Sequence, residues 1–307
     1  MKGADAGATR GMGEGSHHEV DIEQWLWAKY SAASVTGYRH AIDRYLTWMG
    51  GEATAQAADY GDVLGYVNEL RKGKLRPRTL HNLVFGVKIY YHYLVATGKR
   101  KDHPCRRLRL RDAVDRRIRL DELYTAEELD EVLTRGGSKM AGLTERNRVI
   151  MGLLVYQALT VSEVVALRVA DVELTAGRIH VAESVSNLGR TLPLMATQIM
   201  TLHGYLTENR PKLLRRKPNS GKLLVSRFGL PLKSQAIKRI VNPDGQAKRY
   251  LPLRIRQSVI AQKLEAGHDL RAVQVFAGHR QISSTEAYRQ NELEQLRAGI
   301  ERHHPLQ

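Results

Sequence analysis

Residues 255–305 read IRQSVIAQKLEAGHDLRAVQVFAGHRQISSTEAYRQNELEQLRAGIERHHP. Apolar residues recur at three- and four-residue spacing through IRQSVIAQKLEAG, DLRAVQVFAG, SSTEAYR and LEQLRAGIERH, which predicts a series of short helices. Gly267-His268-Asp269 and Gly278-His279 punctuate them. Arg256, His279 and Tyr288 stand along this series in that order. Beyond Tyr288, Leu293, Leu296 and Ile300 form a short apolar stripe.

Upstream, helical patterns continue at ERNRVIMGLLVYQAL, VSEVVALRVADV, ATQIMTLHGYLTENR and SQAIKRIV. Thr125-Ala-Glu-Glu128 is a capping box opening a helix from Glu127 to about Leu133. After Asp171 the period changes, and VELTAG, RIHVAES and RTLPL read as short strands. Residues 21–98 read as a compact helical domain. In its last helix Leu80, Leu83, Val84, Val87, Tyr90, Tyr91 and Leu94 share one face, Tyr90, Tyr91 and Tyr93 belong to the core and surface of that helix, and Ser34 or Thr36 caps the second helix. Residues 99–119 hold ten Lys/Arg against three Asp and read as a basic linker, with Cys105 an incidental loop residue. The fold class is therefore mainly α with a small antiparallel sheet. It divides into a flexible tail (1–20), a helical domain (21–98), a linker (99–119), a second domain (120–291) and a tail helix (292–307).

The 307 residues are 42% hydrophobic and 26% charged, enough to bury a core and too apolar for a disordered chain. One cysteine excludes an intrachain disulfide framework and a Cys-cluster zinc site. No apolar run is long enough to span a membrane, and the first twenty residues lack the apolar core of a signal peptide. Forty-eight Lys/Arg against 32 Asp/Glu leave a net charge of +16, spread along the folded stretches, which points to a polyanionic partner and first to nucleic acid.

The C-terminal series resembles the end of tyrosine recombinases, the Xer-type and phage-integrase family. The matching features are Arg256, Gly267-His268-Asp269-Leu270, Gly278-His279 and Ser284-Thr285-Glu286-Ala287-Tyr288, in register. LTVSEVVALRVADVEL, RTLPL and DHPCRRLRL are similar to the family's helix-to-sheet segment, third strand and interdomain linker, and 21–98 to its core-binding domain. The resemblance implies a two-domain DNA breaking-rejoining fold in which a tyrosine attacks a DNA phosphodiester and forms a 3′-phosphotyrosine, with no metal or other cofactor. Such a reaction needs a phenol that loses its proton, cationic donors on the phosphate oxygens and an acid for the leaving 5′ oxygen. On this resemblance Tyr288 is the nucleophile, and Arg256 and His279 hold the phosphate.

The match is incomplete. Thr160 stands where the family's first arginine is expected, Leu253 replaces its first His or Lys, and the turn AESVSNLG (182–189) lacks its lysine. Thr offers at most one neutral hydrogen bond where Arg offers a charged fork. Arg254, Arg190, Arg168 and Lys248 are the possible substitutes, with Arg168 facing elsewhere on a continuous helix. The reading is a weakened subunit in site-specific recombination or integration of a mobile element, working with a complete recombinase. The alternatives are an active enzyme with substitute residues and a non-catalytic DNA-binding regulator or architectural protein. The partner is double-stranded DNA, with no membrane, in the bacterial cytoplasm at the nucleoid. Phosphate contacts are expected from Lys72, Lys74, Arg76, Arg78, Thr79 and Lys88 in the first domain, and from Arg106 and Arg107 in the linker. In the second domain they are expected from Arg190, Lys233, Gln235, Lys238, Arg239 and Arg254. Residues 292–307 are expected to link protomers, whether the assembly is of like or unlike recombinases.

Overall fold

The computed structural model describes residues 21–113, 117–138, 140, 142–215, 218–243 and 248–289. The tails expected at 1–20 and 292–307 lie outside the described residues. The chain divides into two units, residues 1–116 and 117–307.

The first unit is helical: α1 (Ile22–Lys29), α2 (Ala32–Met49), α3 (Glu52–Ala57), α4 (Tyr60–Lys72) and α5 (Pro77–Ala96). Ser31, not Ser34 or Thr36, caps α2, because the Ser31 hydroxyl is the one that accepts the Ser34 amide; Thr36 donates to the Ala32 carbonyl instead. An Asp59–Asp62 capping box opens α4, and Pro77 occupies the first position of α5. The predicted face of α5 is buried in full, with Tyr90, Tyr91 and Tyr93 all inside. Gly86 lets α2 approach closely: a Cβ there would stand 2.3 Å from that of Ala41. The Tyr45 and Tyr91 hydroxyls are 2.6 Å apart, and Tyr91 donates to the Ala55 carbonyl, so this aromatic core satisfies two of its phenols.

The expected linker is largely part of this unit. Cys105 and Leu108 are buried in its core rather than standing in an open loop. Arg100 donates to the Gln56 and Ala58 carbonyls, and Lys88 donates to the carbonyls of Leu108 and Arg106. These cations pin the segment down by satisfying backbone acceptors that would otherwise be lost from water.

The second unit contains α6 (Ala126–Thr134), α7 (Leu143–Val155), α8 (Val161–Ala166), the strands β1 (Val172–Glu173), β2 (Arg178–Val181) and β3 (Arg190–Pro193), and α9 (Ala196–Gly204). A single π turn, Tyr205–Asn209, joins α9 to α10 (Arg210–Leu214), and α11 (Ser234–Val241), α12 (Pro252–Glu265) and α13 (Leu270–Ala277) follow. A last helical segment spans 283–289. The Thr125–Glu128 capping box forms as expected. The sheet is antiparallel in the order β1-β2-β3, with Ile179 opposite Val172 on one side and Leu192 on the other. The helix expected through VSEVVALRVADV stops at Ala166. The Arg168 amide then binds the Asp171 carboxylate and starts a separate 3₁₀ turn, Val169–Asp171. Helix α7 is the hub of this core, burying Ile150, Met151, Leu153 and Leu154, and α12 packs on it with Ile255 and Val259.

Candidate active site

Arg256, His279 and Tyr288 are delivered by three consecutive elements of the second unit. Arg256 lies on the buried face of α12. It donates from Nη1 to the Ala158 carbonyl (2.6 Å) and from Nη2 to the Ala277 carbonyl (2.5 Å). Ala158 presents its carbonyl from the left-handed region (φ +50°), a conformation that residues with a Cβ rarely adopt. Burial pulls the Arg256 guanidinium below its ordinary pKa, and the Glu163 carboxylate pulls the other way.

His279 follows Gly278, which ends α13 in the left-handed region (φ +71°). Glycine is required twice at 278: besides the backbone angle, a Cβ would lie 2.6 Å from Nη1 of Arg190. Nδ1 of His279 is 2.9 Å from the hydroxyl of the fully buried Thr285. Burial, and then the positive charges of Arg256 and Arg190, push the imidazole down to about 4, so it is neutral at pH 7. Tyr288, three residues beyond Thr285, is only 6% exposed and packs among Ile260, Ala261, Val273 and Ala277. Burial pushes its phenol up to about 12, and Arg256 draws it back down.

Around these residues runs a network that the sequence did not disclose. Glu163 accepts from the Thr160 backbone amide (2.8 Å), the Thr160 hydroxyl (3.0 Å), Nδ2 of Asn187 (3.0 Å) and Nη1 of Arg190 (2.6 Å). The Arg190 and Glu163 side chains are 2% and 3% exposed. Burial pushes the Glu163 carboxyl up. The Arg190 guanidinium and the Thr160 amide outweigh it and hold the carboxyl below its usual range. Arg190 also donates from Nε to the Phe276 carbonyl (2.7 Å), while its buried Nη2 has no partner among the described residues. The only advance signal was the spacing Thr160-x-x-Glu163, which is a capping box.

This network changes two expectations. Thr160 is the N-cap of α8 and its hydroxyl proton is committed to Glu163, so it is not a spare donor for a phosphate. Arg190, expected among the phosphate contacts, is a buried brace between β3, α8 and the end of α13. Leu253, by contrast, is 67% exposed in the first turn of α12. It lines a cavity of about 410 Å³ together with Thr160, Val161, Lys238, Asn242, Leu251, Pro252 and Arg256. The lysine-free turn after β2 is held by Arg280, another residue missed in the sequence. Arg280 donates to the Glu183 carboxylate (2.7 Å) and to the carbonyls of Ser184 (2.5 Å) and Val185 (3.1 Å).

The remaining expected residues fall into two groups. Arg76, Arg78 and Thr79 are exposed at the start of α5, as are Lys74, Arg106 and Arg107 in the same unit and Lys233, Gln235, Lys238 and Arg239 along α11; Lys72 is exposed too but pairs with Glu69 (3.0 Å). Others are engaged by protein groups. Lys88 holds the 106–108 backbone, Arg254 pairs with Glu122 beside the Tyr124 ring, and Lys248 pairs with Glu128. Lys88 and Arg254, expected as phosphate contacts, each satisfy a protein acceptor in this structure.

Two family models cover these units: the phage integrase family over residues 124–295, and the phage integrase N-terminal SAM-like domain over 22–98. The chain belongs to the phage integrase family, the tyrosine recombinases. Among curated members it is 26% identical over 278 residues to the tyrosine recombinase XerD of Listeria innocua serovar 6a, covering 88% of this chain and 91% of that one. It is 28% identical over 236 residues to the XerC recombinase of Lactobacillus delbrueckii subsp. bulgaricus, covering 76% and 78%. Among solved structures, the Tn1549 transposon integrase in complex with transposon right-end DNA matches with a TM-score of 0.62 at 16% identity, over 91% of this chain and 97% of that one. A λ integrase dimer bound to a core site matches with a TM-score of 0.60 at 15% identity, over 87% and 92%. The chain thus has the mainly α tyrosine-recombinase fold with its small antiparallel sheet.

Proposed function

We propose that this integrase-family chain binds duplex DNA and cleaves one strand through Tyr288 in site-specific recombination or integration. The observation that carries the reading is the convergence of Arg256, neutral His279 and a buried Tyr288 in one site. In the proposed step Oη of Tyr288 bonds to phosphorus and the bond from phosphorus to the 5′ oxygen breaks. The phenol loses its proton and the 5′ oxygen gains one. A phenol raised to about 12 is protonated at pH 7, so the proton must leave as the bond forms. Arg256 has donors beyond the two it gives to carbonyls, and these serve the phosphate charge. Relatives named as tyrosine recombinases, and neighbours solved on DNA, support the DNA partner.

The same reading makes the chain a slow subunit that acts in a mobile element beside a complete recombinase. Thr160 is a helix cap, Leu253 is apolar and the 182–189 turn has no lysine. Removing one preorganised donor costs about 10²–10³ in rate. The test uses a nicked duplex chosen from a random library by binding to the full-length chain. Cleavage beside the nick releases a short strand and traps the protein on the DNA. A small yield of adduct, absent from Tyr288→Phe, is expected. Rapid, near-complete adduct from the wild type rejects the slow-subunit reading. Adduct that survives Tyr288→Phe removes Tyr288 from its role.

A further inference from the structure

The cavity beside Arg256 brings together two of the three positions where cations are missing, Thr160 and Leu253. Its polar lining is nearly all spoken for. The Thr160 hydroxyl gives its proton to Glu163. The Asn242 side chain donates to the Tyr250 carbonyl (2.7 Å) and accepts the Tyr250 amide (2.6 Å). Leu251, Pro252, Leu253 and Val161 are apolar. Lys238 remains: it lines the same cavity as Arg256, and its ammonium has no hydrogen-bond or ion-pair partner among the described residues. It is mounted firmly, because its neighbours Ile237 and Val241 on α11 are fully buried. Its four-carbon stem suits an apolar wall that leaves the charge free to reach an anion.

We infer that Lys238 is the second cation on the phosphate held by Arg256, and so a catalytic residue of this site contributed by α11. The inference rests on the DNA-cleavage reading above. A phosphodiester carries one negative charge, and attack by Tyr288 adds a second that spreads over the non-bridging oxygens. One guanidinium answers only part of it. An ammonium lining the same cavity as Arg256 meets part of the rest. A lysine is a mobile point charge and not a rigid fork, so the substitution is partial, in keeping with a slow site.

The test removes charge from both sides of the contact. The full-length Tyr288→Phe chain selects a duplex from a random library. Single methylphosphonates, each abolishing one phosphate charge, are then walked along it and the affinity is measured. One phosphate is expected whose neutralisation costs about tenfold or more in the parent, the range of a charge-assisted hydrogen bond. That penalty should shrink in Lys238→Ala and also in Arg256→Gln, or in Arg256→Met should the first not fold. It should persist in Lys212→Ala, which loses an exposed charge on α10. With Tyr288 restored, Lys238→Ala should slow adduct formation about 10²-fold on the phosphodiester and much less on the methylphosphonate, with partial rescue by Lys238→Arg. Distinct phosphates for Lys238 and Arg256, or none relieved by Lys238→Ala, overturn the inference while the cleavage reading stands. The absence of any Arg256-dependent phosphate overturns the cleavage reading, and the role of Lys238 falls with it.

Discussion

Removing the guanidinium of Arg190 should destabilise the second unit far more than any surface charge change. The side chain is buried against Glu163 at 2.6 Å, and both partners are almost wholly shielded from water. Breaking such a pair from one side leaves an uncompensated buried charge and typically costs about 3–5 kcal/mol. Glu163 keeps three other donors, from the Thr160 amide and hydroxyl and from Asn187, which places Arg190→Ala near the lower end, about 3 kcal/mol. The pH dependence follows from the same contact. The Glu163 pKa is lowered in the folded chain, so its contribution is complete above the unfolded value of about 4.3 and is lost as pH falls through the folded value. Arg190 also helps to depress His279, and removing it makes the variant less acid-sensitive. Both effects narrow the gap between wild type and Arg190→Ala on going from pH 7 to pH 4. Urea unfolding of the full-length chain measures this. Far-UV circular dichroism reports both units, whereas Trp25, Trp27 and Trp48, the three tryptophans of the chain, all lie in the first. The dichroism transition should shift and the tryptophan transition should not. A loss under about 1 kcal/mol at pH 7 would contradict the cost expected for a broken buried pair. A gap that widens toward pH 4 would contradict the sign.

Duplex affinity should fall by orders of magnitude between about 50 and 200 mM salt if phosphate contacts dominate binding; an affinity flat across that range refutes it. Gly278→Ala combines a left-handed backbone with a Cβ aimed at the Arg190 guanidinium. It should cost at least about 1–2 kcal/mol in urea unfolding and reduce adduct formation, because His279 is the next residue. Thr160→Arg loses the α8 cap, worth about 1 kcal/mol, yet places a guanidinium at the cavity beside Arg256. It should lower the unfolding midpoint while raising the yield of adduct, and a fall in both argues that the cavity does not hold the phosphate.

The helices were legible because their spacing is local. The face of α5 from Leu80 to Leu94 repeats with the helix period, and the structure buries it. The Thr125–Glu128 box, the three strands and the order Arg256, His279, Tyr288 also needed only neighbours in the chain. Where local pattern misled, a distant partner had intervened. The basic stretch after residue 98 looked like an open linker until Cys105 and Leu108 entered a core supplied by α2 and α5, with Lys88 holding their backbone.

Sequence alone therefore determined the family, the helical class and the place of Tyr288 in the motif register, since these rest on periodicity and on motifs a few residues long. Tertiary structure alone decided what the charged groups do. Arg190 meets Glu163 across 27 residues, and Arg256 meets Ala158 across 98. Whether an arginine braces a buried carboxylate or faces a phosphate, and whether a threonine proton is free or spent on a cap, depends on burial and on which partner stands within hydrogen-bond distance. Those are properties of packed space, where desolvation makes one partner obligatory, and no spacing along the chain encodes them.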